Sequence, residues 1–591
     1  MKKQTLFKVI SILLPLVFIL LFEIILRIGG YGEDYKLFHK VSTQSETDYL
    51  VMNKHIAKKY FKDNELQADN QSDLFLKTKT DSTFRIFVQG ASTVVGFPYY
   101  RGGSFPRMLK HRLSQTFPNK NIEVINTGIT AVNSYTLWDF TNAIIEQEPD
   151  LVIIYAGHNE YYGALGVGSS ITYGSHPNLI RTYLYLKQFR FFQFLENTYY
   201  KISSSHNPKP SERETTLMEV MAKEQRIPFN SKIYQEGLKQ YESNLNSILS
   251  TYQNHNIPVI ISTLVSNEKD IKPFISDSIP NKQAFLEALS KDNMKSNKIA
   301  EQNALAAYTL GQHYLEKNQD SAKKYLHVAK ELDLLRFRAP EKINTIIKSL
   351  SKKYHATLID MKSIFESHSP FNSIGNELLT EHVHPNVMGQ FLMADGFYNK
   401  IKELKLLKNW NDEIKYDEAI ANIPVSEIDS IVGELTITDL KSSWPYNLNM
   451  SGKRPPLNYI ESTSFEIQMA QNIHKKISNW DQIMAYAYRS YENDKKYEKA
   501  LRIAQSLIFE YPEQSKVYQM AGEMCFKMQD FEKAAYYFSI FNYLDKSIIS
   551  AEQLSSTYVK LNKIDLAKQT LLEAHKNALK VKKPINELNL E

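Results

Sequence analysis

Five short runs rich in β-branched and apolar residues punctuate the first two thirds of the chain: FRIFVQG (84–90), IEVIN (122–126), DLVIIYAG (150–157), PVIISTLV (258–265) and ATLIDM (356–361). Between them the apolar positions recur at helical spacing. Strand-length runs alternating with helical stretches predict an α/β unit built on a parallel sheet. Its bounds fall at about 81 and 405, after a segment at 29–80 without a clear pattern. The long charged stretch 268–355 between the fourth and fifth runs is expected to hold a helical insertion that packs beside the sheet.

The two ends read differently. After Lys2, Lys3 and Lys8, the 18 residues from Val9 to Leu26 are interrupted by a single carboxylate, Glu23. That length is near the lower limit for a bilayer span. No small-residue cleavage pattern follows, so an uncleaved single-pass anchor over 9–28 is expected, with a poorly marked signal peptide as the alternative. The early lysines place residues 1–8 in the cytoplasm and the remainder on the envelope side. Glu23, near the outer end of the segment, reads as either solvated or functional. At the other end, YEKAL (497–501), FEKAA (531–535) and IDLAK (564–568) recur at intervals of 34 and 33 residues, with Pro512 closing the first unit. This period resembles tetratricopeptide repeats, in which a small residue lets neighbouring helices approach closely, and it predicts about three repeats over 479–582. Leu310, Gly311, Tyr314 and Ala322 have similar spacing and suggest one helical hairpin within the insertion. The repeats are either a cap on the catalytic unit or a groove for a protein partner. Residues 406–478, with SSWPYNL and GKRPPLNY, read as a connector of little regular structure.

Composition narrows the function. Charged residues make up 23% and the hydrophobic set 43% of 591 residues, which is ordinary for folded domains. Lys and Arg exceed Asp and Glu by only 71 to 65, and no basic block is interleaved with aromatics, so no nucleic-acid partner is expected. The single cysteine, Cys525, excludes an intramolecular disulfide and a thiolate zinc cluster, and its neighbours place it on a buried helix face.

The candidate chemistry sits at the ends of the predicted strands. The first run leads into Gln89, Gly90, Ala91, Ser92 and Thr93, which puts a serine hydroxyl at the carboxyl edge of the sheet, where open α/β folds bind ligands. The second leads into NTGITAVNS and the third into Gly157, His158, Asn159 and Glu160. Near the end of the unit comes EHVHPN, with Glu381 and His384 three apart. A serine hydroxyl needs a base within hydrogen-bond reach to act as a nucleophile at neutral pH. A pair of metal ligands, His382 and His384, is the competing reading of the last block.

GAST, NTGITA, GHNE and ExxHP occur in the order and approximate spacing of the blocks of SGNH (GDSL-like) hydrolases, and over residues 84–400 the chain resembles that superfamily. The resemblance implies a flavodoxin-like three-layer α/β fold and a serine esterase needing neither metal nor organic cofactor. It makes Ser92 the nucleophile and His384 the base, with His382 the rival, and gives Glu381 the position of the usual Asp. The Ser92 and Ala131 amides and the Asn159 side chain become the oxyanion donors, with Gly128 the alternative to Ala131. Ala131 stands where the family has glycine, Ala91 replaces the Asp of GDSL, and a backbone carbonyl is the alternative to Glu381. His158, Glu160 and Asn267 are expected to shape the pocket. Arg336 and Arg338 in LLRFRAP are expected to be solvated or ion-paired at the surface, with contact to an anionic substrate as the alternative. The implied substrate is an ester-bearing envelope glycan or lipid. O-acyl transfer by the same triad and a non-catalytic scaffold acting through the repeats are the alternatives.

Overall fold

The computed structural model describes residues 2–41, 48–61, 70–171, 176–203, 216–291, 294–451 and 455–581. Residues 1 and 582, where the expected N-terminal segment begins and the repeat region ends, lie outside the described residues, as does 452–454 of GKRPPLNY. All five predicted runs are strands: β4 (Thr83–Gly90), β5 (Asn121–Asn126), β6 (Leu151–Tyr155), β7 (Val259–Ser262) and β8 (Thr357–Ile359). They form one parallel sheet in the order β5-β4-β6-β7-β8. Strand order reverses between β4 and β6, so the carboxyl ends of these strands flank the crevice in which doubly wound sheets bind ligands. Every residue of β4 and β6 is buried, as expected of strands covered on both faces.

Amphipathic helices supply that cover with their buried faces. On one face lie α3 (Phe105–Thr116) and the helix Val387–Glu403. On the other, Ser134–Ile145 and Glu341–Lys353 both pack on Lys232–Asn254. Glu341–Lys353 is therefore the crossover that delivers β8, and the hairpin of Ala304–Tyr314 and Gln319–Leu332 packs outside the sheet around its own small apolar cluster.

The patternless segment 29–80 contains an antiparallel sheet of β1 (Phe38–Val41), β2 (Tyr49–Met52) and β3 (Phe75–Leu76). Phe38 packs tilted and Phe75 edge-on against Phe87 of β4. Arg85 fixes the junction. Fully buried, it donates to Glu123 at 2.6 Å, to the Gln147 carbonyl at 2.7 Å and to the Leu76 carbonyl at 2.6 Å.

The expected membrane span falls within α1 (Lys2–Ile28) and is not borne out. Among the described residues, no helix is long and apolar enough to cross a membrane. Glu23 explains part of this, because it is a docking residue and not a solvated one. Its carboxylate accepts the Phe191 amide at 2.7 Å and Arg27 Nε at 2.6 Å, and Phe22 packs edge-on against Phe191 and Phe194 of the helix Arg190–Ser203. The apolar stretch ahead of that dock, Val9 to Phe22, amounts to about 21 Å of helix against a hydrocarbon core of about 30 Å. All nine residues from Leu13 to Leu21 are nonetheless exposed.

The connector is more ordered than its sequence suggests, with helices at Tyr416–Ala421, Glu427–Ser442 and Phe465–His474. Beyond it, six helices from Trp480–Asn493 to Ile564–Val581 pack each on the next. The three recurring segments each open a helix, and their shared small residues Ala500, Ala534 and Ala567 are buried in the helix contacts. Cys525 is fully buried there, and burial pushes its thiol up to about 12. This helical layer grips the sheet domain through Arg107, which is wedged between Asp73 (3.0 Å) and Glu510 (2.5 Å), and through Arg101, 4.1 Å above the Trp480 ring.

Candidate active site

Strand β4 ends at Gly90, and Ser92 opens the short helix α2 (Ser92–Val95) at the carboxyl edge of the sheet. The turn is pinned from the next strand. Asn126, at the end of β5, donates to the Val94 carbonyl at 2.5 Å and accepts the Gly128 amide at 2.9 Å. Gly128 has therefore already spent its N–H and offers none to a bound oxyanion. Ala131 sits at φ 58°, a left-handed conformation that favours glycine.

The third block is set by Gly157, whose φ of 149° a side chain would not tolerate, since a Cβ there would lie 2.6 Å from Leu264 Cδ1. The turn that follows carries His158, Asn159 and Glu160. Asn159 remains partly exposed, and its side-chain amide has no hydrogen-bond partner among the described residues. Glu160 points the other way. Fully buried, it accepts the Ser134 amide at 3.2 Å, Ser134 Oγ at 2.7 Å and Gln240 Nε2, and so caps the helix Ser134–Ile145. Burial raises its carboxyl to about 7. His158 is buried, and its Nδ1 accepts the Ala339 amide at 3.3 Å, which leaves the proton of the neutral ring on Nε2. Burial pushes it down to about 3.

The fourth block lies between β8 and the helix Val387–Glu403. His384 Nε2 is 2.6 Å from Ser92 Oγ, and its Nδ1 contacts Glu381 Oε1. Glu381 is completely buried and bound along both edges. Oε1 also accepts the His384 amide at 2.8 Å, and Oε2 accepts the His382 amide at 2.7 Å and the Tyr446 hydroxyl. Burial pushes the His384 imidazole below its ordinary value, while the adjacent carboxylate favours its charged form. A resting neutral ring with Nδ1–H toward Glu381 leaves Nε2 to accept the serine proton. Phe97 packs over His384 at 4.8 Å between ring centres. His382 Nδ1 engages the Tyr446 hydroxyl, at 2.7 Å, and Glu381 Oε2, and it does not reach the serine.

The remaining candidates are structural. Asn267 donates its backbone N–H to the His382 carbonyl at 2.9 Å and its side-chain amide to Asn376 Oδ1 at 2.9 Å, so it braces the loop behind His384. Arg336 and Arg338 are buried, contrary to the surface reading. Arg338 pairs with Asp333 at 2.8 Å and caps the Asn267 and Ile271 carbonyls, and Arg336 donates to the Ile227 carbonyl at 2.9 Å. Both cations are committed to protein groups, Arg336 to carbonyls and Arg338 to carbonyls and the Asp333 carboxylate.

Two clusters have the donors for a metal ion: Glu381, His382 and His384, and Glu268, His327 and Glu341. In the first, both imidazole Nδ1 atoms already point at the glutamate, and His384 Nε2 meets the serine. In the second, Lys330 and Lys362 lie 3.3 and 3.7 Å from Glu268 and 3.6 and 2.8 Å from Glu341, so ammonium groups already occupy the cation positions.

Tyr446 and Phe97 were not legible as site residues. The first stands in SSWPYNL, 62 positions beyond His384 and outside every strand-end block, and the second has no spacing relative to Ser92 that marks it.

No family model and no curated protein matches the chain. Among solved structures it is similar to the acetyl xylan esterase AlAXEase (14% identity, covering 54% of this chain and 100% of that one, TM-score 0.27). It is also similar to Axe2, an acetylxylan esterase from Geobacillus stearothermophilus (13%, 57% and 98%, TM-score 0.27), and to the psychrotrophic esterase EstA from Pseudoalteromonas sp. (13%, 55% and 98%, TM-score 0.25). Similarity at this level carries no argument about activity, which rests on the geometry around Ser92.

Proposed function

We propose that this protein is a serine esterase of the SGNH kind, cleaving an ester-linked acyl group from an envelope glycan or lipid. The observation that carries the reading is the line from Ser92 Oγ through His384, 2.6 Å away, to the buried Glu381. A hydroxyl, a neutral imidazole and a buried carboxylate in that order are what activates serine on unrelated folds.

Ser92 Oγ attacks the acyl carbon while His384 Nε2 takes its proton, and Glu381 stabilises the resulting imidazolium. The negative charge gathering on the former carbonyl oxygen is met by the Ser92 and Ala131 amides and the Asn159 side chain. When the tetrahedral adduct collapses, His384 passes its proton to the departing alcohol oxygen, leaving the acyl group on Ser92. Water, deprotonated by the same imidazole, releases the acid and restores the serine. If a sugar hydroxyl enters in place of water, the same steps transfer the acyl group to that hydroxyl.

Hydrolysis of p-nitrophenyl acetate and longer esters by the full chain tests the reading. Ser92→Ala and His384→Ala are expected to lower kcat by at least about 10⁴-fold. Activity unchanged in either variant removes that residue from the mechanism. Equal inactivity of all three proteins on esters alone, with turnover appearing when a sugar acceptor is added, turns the assignment to acyl transfer. Continued inactivity turns it to a scaffold.

A further inference from the structure

We infer that Tyr446, from the segment joining the sheet domain to the helical layer, is a positioning residue for the triad, holding Glu381 in the orientation that serves His384. This rests on the esterase reading above.

Glutamate carries one more methylene than the aspartate usual at this position, and with it one more torsion through which the carboxylate can leave the imidazole. The two oxygens divide the work of preventing this. Oε1 faces His384, meeting both its amide and Nδ1. Oε2 faces away, met by the His382 amide, His382 Nδ1 and the Tyr446 hydroxyl. The amide and the imidazole belong to the next residue in the chain and move with Glu381. Tyr446 is 65 residues away and supplies a point of reference independent of that loop.

The tyrosine is itself well fixed. Its ring packs edge-on against Phe274 at 5.2 Å and against His382 at 6.0 Å, and its hydroxyl lies 2.7 Å from His382 Nδ1. Trp444, two residues earlier, is buried against Phe337, and its carbonyl accepts Thr216 Oγ1 at 3.1 Å. Burial raises the Tyr446 phenol well above its ordinary value, so it keeps its proton and donates to the carboxylate. The arrangement also accounts for His382. With Nδ1 against the tyrosine hydroxyl and its amide on Glu381, it belongs to the support and not to the base.

The test is a double-mutant cycle in the full chain, reading both kcat and KM on p-nitrophenyl acetate and the rate at which a fluorophosphonate labels the protein. Tyr446→Phe keeps the ring and removes the hydroxyl. It is expected to lower kcat and the labelling rate about ten-fold, the size of one lost hydrogen bond to a charged group, with KM within two-fold. On a Glu381→Ala background the same substitution is expected to change nothing further. A Tyr446→Phe protein that works at the wild-type rate overturns the inference, and so does a penalty of equal size on both backgrounds. Ser92→Ala separates the two levels of the argument. If that variant still labels, the esterase reading falls and takes this inference with it. If it does not label while Tyr446→Phe labels at full speed, only the inference falls. A general loss of packing would lower the thermal midpoint of Tyr446→Phe and persist on the Glu381→Ala background, which the cycle detects.

Discussion

At the scale of single residues, the site is decided by which polar atoms are already committed. Gly128 and Asn159 illustrate the two cases. The Gly128 amide is held by Asn126, whereas the Asn159 side chain stands partly exposed with no protein partner among the described residues, beside the turn that ends β6. Of the two, Asn159 is available to a charge that forms during reaction. Asn159→Ala is expected to lower kcat on p-nitrophenyl esters about 10²–10³-fold with little change in KM, because the bond it removes strengthens only in the transition state. A rise in KM at constant kcat would instead make it a ground-state contact. Glu160, its sequence neighbour, has the same chemistry as Glu381 but a different fate. It is turned into the helix interface and held by Ser134 and Gln240.

At the scale of elements, α1 is the least ordinary. Its nine exposed residues from Leu13 to Leu21 cover two and a half turns and so point in every direction around the axis. A protein groove buries one face of a helix, while lipid surrounds all of them. We propose that this stretch enters a lipid surface, held to the body by the Glu23 dock. The full chain is expected to co-sediment with lipid vesicles. Leu14→Asp with Phe18→Asp is expected to weaken that binding more than a hundred-fold, since each removes a large apolar side chain whose burial is worth at least about 1.5 kcal/mol. Unchanged sedimentation of the double variant would locate the contact elsewhere. The recurring helical segments work by the opposite means. Ala500, Ala534 and Ala567 have too little side chain to hold neighbouring helices apart, so apolar surface is covered by helix against helix.

At the scale of the whole molecule, stability against pH follows from titratable groups shielded from water in two places, His111 under the helical layer and the pair His158 and Glu160 on the turn after β6. His111, under the helical layer, is pushed to about 3 by burial and then by Arg502 and Lys533, and His158 is pushed to about 3 beside the site. Their folded values lie below an unfolded value of about 6.5, so the stability of keeping them neutral is complete above that pH and is lost as pH falls toward 3. Glu160 has the reverse sign. Its carboxyl, raised to about 7 from 4.5, contributes fully below the unfolded value and loses that contribution as pH rises through 7. Thermal midpoints are therefore expected to peak between about pH 6 and 7. Glu160→Gln is expected to remove the opposing loss between pH 4.5 and 7, and so to steepen the rise in stability from pH 4.5 toward the maximum by up to about 3 kcal/mol. A rise as shallow in the variant as in the wild type would place its cause in another group.

Sequence determined what depends on local pattern. The five strands were legible because a strand buried on both faces must be apolar along its length, and β4 to β8 lie where the runs predict. Ser92, Asn159 and His384 were legible as candidates because each follows a strand end or stands in a short block with a recognisable order. The helix openings at Tyr497, Phe531 and Ile564 were legible because helix contacts demand a small residue at a fixed period. Only the tertiary structure could decide which of two neighbouring histidines meets the serine, since His382 and His384 differ by one turn of chain and not by chemistry. It also decided that Glu160 and Asn267 brace helices and loops, that Glu23 binds an amide 168 residues away, and that Tyr446 reaches Glu381 across 65 residues. Such contacts join chemically ordinary residues through the path of the whole chain, and no periodicity or spacing records that path in advance.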